Sequence, residues 1–311
     1  MVKVVVAGGT PEYTEKWRAR FARACASTEF IGWDPAGPSI DADYAVVWRP
    51  PAELFLRERQ LKAVFNLGAG VDGLMRLPEL PAGLPVVRVE DAGMARQMVE
   101  YVVHGLIQWT REFDQYGRLQ AAGQWKTLPA VQPPKWPVGV MGLGVIGAQV
   151  AQAVADLGYP VAGWSRSRRA VQGVQSYAGT EELPAFLART RVLVNVLPLT
   201  PETENILDRH TMGQLLPGGY VINVARGSHV VDEDLLALMD AGHLHGALLD
   251  VFREEPLPAE HPYWKHPKVR VTPHIAAISL ADETVAQILG KLGLLQAGQA
   301  ISGIVTKGNG Y

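Results

Sequence analysis

The 311-residue chain has a single cysteine, Cys25, so no internal disulfide can form. That fits a reducing compartment, and a cytoplasmic location is expected. Cys25 lies in Ala22-Arg23-Ala24-Cys25-Ala26 and reads as a small buried helix residue. Nothing near it in sequence lowers a thiol pKa, so no catalytic thiol is expected. Charge of one sign is also lacking: Lys and Arg number 29 against 31 Asp and Glu. Without a block of like charge, neither nucleic acid nor an acidic lipid surface is an expected partner. No apolar run approaches the roughly 20 residues that span a bilayer, so no membrane partner is expected. The opening Met1–Ala7 is too short for a signal-peptide core and reads as a buried strand. Repeats and low-complexity segments are absent.

The chain does have a glycine-rich turn set between two apolar runs. Pro137 to Met141 leads into Gly142-Leu143-Gly144-Val145-Ile146-Gly147, a helical pattern runs to Leu157, and Val161–Trp164 is a second apolar run. G-x-G-x-x-G in a strand–turn–helix–strand frame is a dinucleotide fingerprint. Gly142 allows the tight turn, Gly144 lets a pyrophosphate approach the backbone, and Gly147 lets helix pack on strand. The second strand lacks the acid that would bond a ribose 2′-hydroxyl. Ser165, Arg166, Ser167, Arg168 and Arg169 stand there instead. A hydroxyl and guanidinium forks suit a 2′-phosphate, which a carboxylate would repel. NADP(H) is therefore expected over NAD(H).

Strand-like runs alternate with helical ones along the whole chain, which predicts an α/β protein with parallel sheets. The predicted strands are Val2–Ala7, Tyr44–Trp48, Ala63–Asn66, Val86–Val89, Val192–Leu197, Tyr220–Val224, Ala247–Val251 and Val269–Thr272. Glu12–Ala26, Glu181–Thr190, Asp208–Leu216, Asp232–Asp240 (N-capped by Asp232) and Ala281–Gln296 are predicted helices, followed by a frayed tail. One long helix is predicted over Ala95–Gln120. Its apolar stripe is wider than one covered face needs, which points to a domain or subunit contact. Pro129–Pro137 is a proline-rich connector. Two Rossmann-like domains are expected: residues 1–98 plus 280–311 for substrate, and 99–279 for the dinucleotide. The active site is expected in the cleft between them.

Ligands of open α/β sheets sit beyond the carboxyl ends of the strands. Those ends carry Ala225-Arg226-Gly227, Phe252-Arg253-Glu254-Glu255-Pro256-Leu257 and Pro273-His274-Ile275-Ala276. Leu67-Gly68-Ala69-Gly70 adds a glycine-rich loop with free backbone N–H groups. An arginine, a carboxylate, a histidine and a small-anion nest suit reduction of a 2-oxo acid. No metal is needed for such chemistry.

These stretches, with Leu197-Pro198-Leu199-Thr200-Pro201-Glu202-Thr203, resemble the D-2-hydroxyacid dehydrogenase family over most of the chain. Val47–Pro51, Met94–Tyr101 and Trp164–Arg168 resemble its glyoxylate/hydroxypyruvate reductase A branch. The resemblance implies His274 as general acid, with Glu255 orienting the imidazole and favouring its charged form. It implies Arg226 as the group that binds the substrate carboxylate and polarises the carbonyl, helped by the N–H groups of Ala69 and Gly70. Leu197, Pro198 and Thr203 would border the adenosine ribose and pyrophosphate. Val224, Ala225 and Asp250 would lie near the nicotinamide, with Ala276 over the ring. Trp48 would wall the substrate pocket. A homodimer is implied, and glyoxylate and hydroxypyruvate are the expected substrates. Two other readings remain open: a same-family enzyme for phosphoglycerate or aryl pyruvates, and a non-enzymatic dinucleotide-sensing co-repressor.

Overall fold

The computed structural model describes residues 1–130 and 132–306. Val131 of the connector and the tail from Lys307 on lie outside the described residues. The chain divides into two compact units, Met1–Gly93 with the segment from Ile278 on, and Met94–Ala277. The division falls after Gly93 rather than after Met98, because the helix that follows begins at Met94 and is continuous through Met98.

The first unit runs β1 (Val2–Ala7), α1 (Pro11–Ala24), β2 (Thr28–Gly32), β3 (Tyr44–Val47), α2 (Glu53–Arg57), β4 (Ala63–Asn66), α3 (Asp72–Met75) and β5 (Val86–Val87). The second runs α4 (Met94–Thr110), α5 (Phe113–Ala121), β6 (Val138–Met141), α6 (Val145–Asp156), β7 (Val161–Ser165), β8 (Val174–Ala178), α7 (Gly179–Ala188) and β9 (Val192–Asn195). It continues with α8 (Arg209–Gly213), β10 (Gly219–Asn223), α9 (Asp232–Asp240), β11 (Leu244–Leu249) and β12 (Val269–Val271). The chain then returns to the first unit with α10 (Ala281–Gln296) and β13 (Ile304–Val305).

The second unit's sheet has strand order β12-β11-β10-β9-β6-β7-β8, every pairing parallel. Counted from β6 this is 3-2-1-4-5-6 with one strand added, the doubly wound order whose ligand crevice opens where the order reverses, between β6 and β9. The apolar runs of β6, β9 and β10 are buried on both faces, as parallel strands covered by helices require. Phe186, Leu187, Met212, Val221 and Leu235, all fully buried, form one core cluster. Val102 and Leu106 of α4 join the other, beside α6 residues Val150 and Val154.

The first unit's sheet has order β13-β5-β4-β3-β1-β2. Its pairings are parallel except the last, β13 with β5, which is antiparallel. Buried Lys291 of α10 fastens this edge by donating to the Arg88 and Ser302 carbonyls and to Glu90.

Three local expectations are corrected. The helix expected over Ala95–Gln120 breaks into α4 and α5, because Glu112 takes a left-handed conformation with φ 52°. α5 has no buried residue. Val231, not Asp232, precedes α9, and the Asp232 carboxylate instead accepts from the Tyr263 hydroxyl at 2.8 Å. Cys25 is the C-cap of α1 and partly exposed, and its hydrogen bonds with the Ser27 and then the Thr28 hydroxyl pull its thiol pKa down.

Candidate active site

The turn after β6 needs its glycines for separable reasons. Gly142 has φ +101°, and a Cβ there would meet the Val196 carbonyl oxygen at 2.9 Å. At Gly147 a Cβ would lie 1.8 Å from the Gly142 oxygen, so helix and turn could not close with any side chain between them. Nothing lies within 4 Å of a Cβ built on Gly144. That residue is the N-cap of α6 and makes no side-chain cap bond, which leaves the helix N-terminus at Val145 and Ile146 open to an anion. Leu143 is buried against Gly163 of β7. An open glycine and an uncapped helix end fit a dinucleotide pyrophosphate.

At the end of β7, the Ser165 hydroxyl donates to the Ser167 carbonyl at 2.8 Å. Arg166, Ser167 and Arg168 are exposed. Arg168 is anchored: it donates to the Ser176 carbonyl at 2.5 Å and pairs with Glu182, whose other oxygen takes the Ala178 N–H at 2.7 Å. Behind the Thr200 hydroxyl, the charge of Arg166 helps hold the Glu202 carboxyl below its ordinary range.

Two buried amides shape the ends of β9 and β10. Asn195 donates to Asn223 Oδ1 at 3.0 Å and accepts from the Leu197 N–H. Asn223 donates to the Arg226 carbonyl at 3.0 Å and accepts from the Ala225 N–H. Thr203 works inside its own loop, donating to the Pro198 carbonyl at 2.7 Å and accepting from the Thr200 N–H. Val224 and Ala225 are each 6% exposed. Arg226 is half-buried, and its Nη1 donates to the Ala225 carbonyl at 2.7 Å. A Cβ on Gly227 would sit 1.8 Å from the Phe252 carbonyl carbon. The Arg226 and Phe252 loops therefore abut, backbone to backbone.

The Phe252 loop carries Glu255. One Glu255 oxygen takes the Phe252 N–H at 3.0 Å; the other lies 2.8 Å from Nδ1 of His274. The side chains of His274 and Glu255 are 43% and 31% exposed, so the pair is open to a substrate. With Nδ1 given to Glu255, Nε2 is the nitrogen left for proton exchange. His274 is left-handed, φ +57°, a conformation that costs a non-glycine residue about 1–2 kcal/mol.

Asp250 is the anchor of that loop. The N–H groups of His274, Ile275 and Ala276 bond in turn to its carbonyl, Oδ1 and Oδ2, each at 2.8 Å. The Thr272 hydroxyl gives its one proton to Oδ1 at 2.6 Å, so the Tyr101 hydroxyl, 2.5 Å from Thr272, is the donor there. Burial, reinforced by the Asp250 charge, pushes the Tyr101 pKa up to about 12, which keeps it a donor. Sequence reasoning expected the Asp250 carboxylate beside the nicotinamide; its bonds here run to the Thr272–Ala276 segment. It gave Tyr101, Thr272, Asn195 and Asn223 no role, since their contacts join residues far apart in sequence.

In the first unit, Asn66 Nδ2 donates to the carbonyls of both Gly68 and Gly70 at 2.9 Å. Among the described residues no acceptor takes the Ala69 and Gly70 N–H groups. Trp48 covers this loop, its ring 2.6 Å from where a Gly68 Cβ would be. Among the described residues no three metal-ligating side chains cluster, and no helix is long and apolar enough to cross a membrane.

Residues 103–276 match the family model for the D-isomer specific 2-hydroxyacid dehydrogenase NAD-binding domain. The chain belongs to the D-isomer specific 2-hydroxyacid dehydrogenase family. Glyoxylate/hydroxypyruvate reductase A of Escherichia fergusonii is 48% identical over 303 residues, and that of Serratia proteamaculans 44% over 302; each match covers 96% of both chains. Among solved family structures, the Xanthobacter autotrophicus Py2 enzyme in complex with NADPH and MES has TM-score 0.93 and 35% identity, covering 100% of this chain and 99% of that one. An NADPH-dependent glyoxylate/hydroxypyruvate reductase from Sinorhizobium meliloti, in complex with NADP and sulfate, has TM-score 0.91 and 37% identity, covering 100% of both.

Proposed function

We propose that this chain reduces small 2-oxo acids with NADPH, glyoxylate to glycolate and hydroxypyruvate to glycerate. The observation that carries the reading is the His274–Glu255 pair, held at the end of the sheet that bears the dinucleotide turn. NADPH, when bound, supplies the hydride that adds to the carbonyl carbon. His274 gives the matching proton to the carbonyl oxygen from Nε2. Glu255 orients the ring through Nδ1 and leaves Nε2 to face the substrate. Arg226 stays cationic and holds the substrate carboxylate in a planar fork. In the first unit, the N–H groups of Ala69 and Gly70 can take a carboxylate oxygen, and Trp48 walls that loop. Substrate, NADPH and a proton enter; a 2-hydroxy acid and NADP⁺ leave.

The turn Gly142–Gly147 holds the pyrophosphate, while Ser165, Arg166, Ser167 and Arg168 hold the 2′-phosphate. Leu197, Pro198 and Thr203 border the adenosine half, and Val224, Ala225, Asp250 and Ala276 the nicotinamide half. The protein works in the cytoplasm as a homodimer through α4 and α5. Support for the dimer comes from the wholly exposed Trp125 and the exposed Phe113, which a second copy would cover.

A panel of 2-oxo acids with each cofactor tests this. Glyoxylate and hydroxypyruvate with NADPH should give the highest kcat/KM. Preference for a phosphorylated or aryl acid would move the protein to another substrate of the family, and no turnover with any acid would favour a sensing role.

A further inference from the structure

We propose that Tyr101 is a positioning residue for His274, acting through a relay that ends on the backbone of the histidine's own loop. This rests on His274 as the proton donor.

His274 occupies a left-handed conformation that it would not keep unaided. What holds it is Asp250, which takes three successive N–H groups from the loop. Asp250 is 1% exposed, and no cation appears among the bonds its carboxylate makes. Its orientation is therefore set by donors alone, and Thr272 is the one that is a side chain. The Thr272 hydroxyl can rotate; Tyr101, approaching from α4, fills its acceptor lone pair and turns its proton toward Asp250. The series Tyr101, Thr272, Asp250, Ile275 and Ala276 thus ties a helix to the segment flanking His274. The Tyr101 ring is half-buried, packed against the core cluster that holds Val102 and Val150.

Removing one hydroxyl from such a relay deletes no group that touches substrate or cofactor. Two readouts follow. Amide exchange in a peptide spanning residues 273–277 should be about five- to tenfold faster in Tyr101→Phe, the loss of roughly one hydrogen bond. With glyoxylate, kcat should fall about tenfold and KM for NADPH should rise by less than about threefold, since the His274 ring is mis-aimed while the Gly142–Gly147 turn is untouched. Thr272→Val should match both effects, and Thr272→Ser, which keeps the hydroxyl, should restore both to within about twofold of the wild type. The double variant Tyr101→Phe with Thr272→Val should be no worse than Thr272→Val alone, because one relay is cut once.

Exchange and turnover separate the two claims. Faster loop exchange with no reductase activity in the wild type would overturn the functional reading and leave the relay standing. Wild-type exchange at residues 273–277 in both Tyr101→Phe and Thr272→Val would overturn the relay, whatever the activity. So would a uniform fall in melting temperature with kcat per folded enzyme unchanged, which marks a purely structural tyrosine.

Discussion

Glu255 bonds His274 Nδ1 at 2.8 Å with one oxygen and the Phe252 N–H at 3.0 Å with the other. The carboxylate is thus fixed by its own loop before it fixes the histidine. Glu255→Gln keeps the shape but replaces the carboxylate oxygen at Nδ1 with a neutral amide. Its kcat/KM for glyoxylate should fall about 10- to 100-fold, with KM for NADPH little changed. Steady-state kinetics with each substrate varied would show this. A loss confined to KM for NADPH would place Glu255 in cofactor binding instead.

Cofactor choice should depend on the loop after β7. Arg168 is already held by Glu182 and the Ser176 carbonyl, so its guanidinium is preorganised rather than free. It is also 60% exposed, which weakens any single contact it makes. Replacing both Arg166 and Arg168 by alanine should raise KM for NADPH about tenfold or more and leave KM for NADH nearly unchanged. Parallel rises for the two cofactors would show that the arginines do not touch the 2′-phosphate.

The first unit should show an acid limb of stability centred on Glu90. Burial alone would raise this carboxyl, but Ser302, Lys291 and Arg88 outweigh it and hold the pKa below the ordinary value. A group depressed in the folded state contributes stability above its unfolded pKa and loses it as pH falls through the folded one. The drop in melting temperature between about pH 6 and pH 3 should therefore be smaller in Glu90→Gln than in the wild type. An equal drop in both would remove Glu90 from the acid limb.

Strands were legible where burial on both faces leaves an uninterrupted apolar run, as in Ala63–Asn66 and Val138–Met141. Edge strands were not: Thr28–Gly32 and Val174–Ala178 are half-exposed and carry polar residues, and β13 has two residues. The break at Glu112 was hidden because no glycine or proline marks it. Gly142, Gly144, Gly147, Arg226, Glu255 and His274 could be picked out because each follows a strand end or stands in a tight local pattern. Their support could not. Tyr101 reaches Thr272 across 171 positions, and Asn195 reaches Asn223 across 28, so no local period announces either contact.

In the proposed reaction His274 donates the proton that accompanies NADPH-dependent reduction of a small 2-oxo acid. The direct measurement is kcat/KM for glyoxylate with saturating NADPH in His274→Gln against the wild type, with folding checked by melting temperature. Loss of the proton donor predicts a fall of about 10² or more. A fall below about tenfold in a folded variant would contradict it.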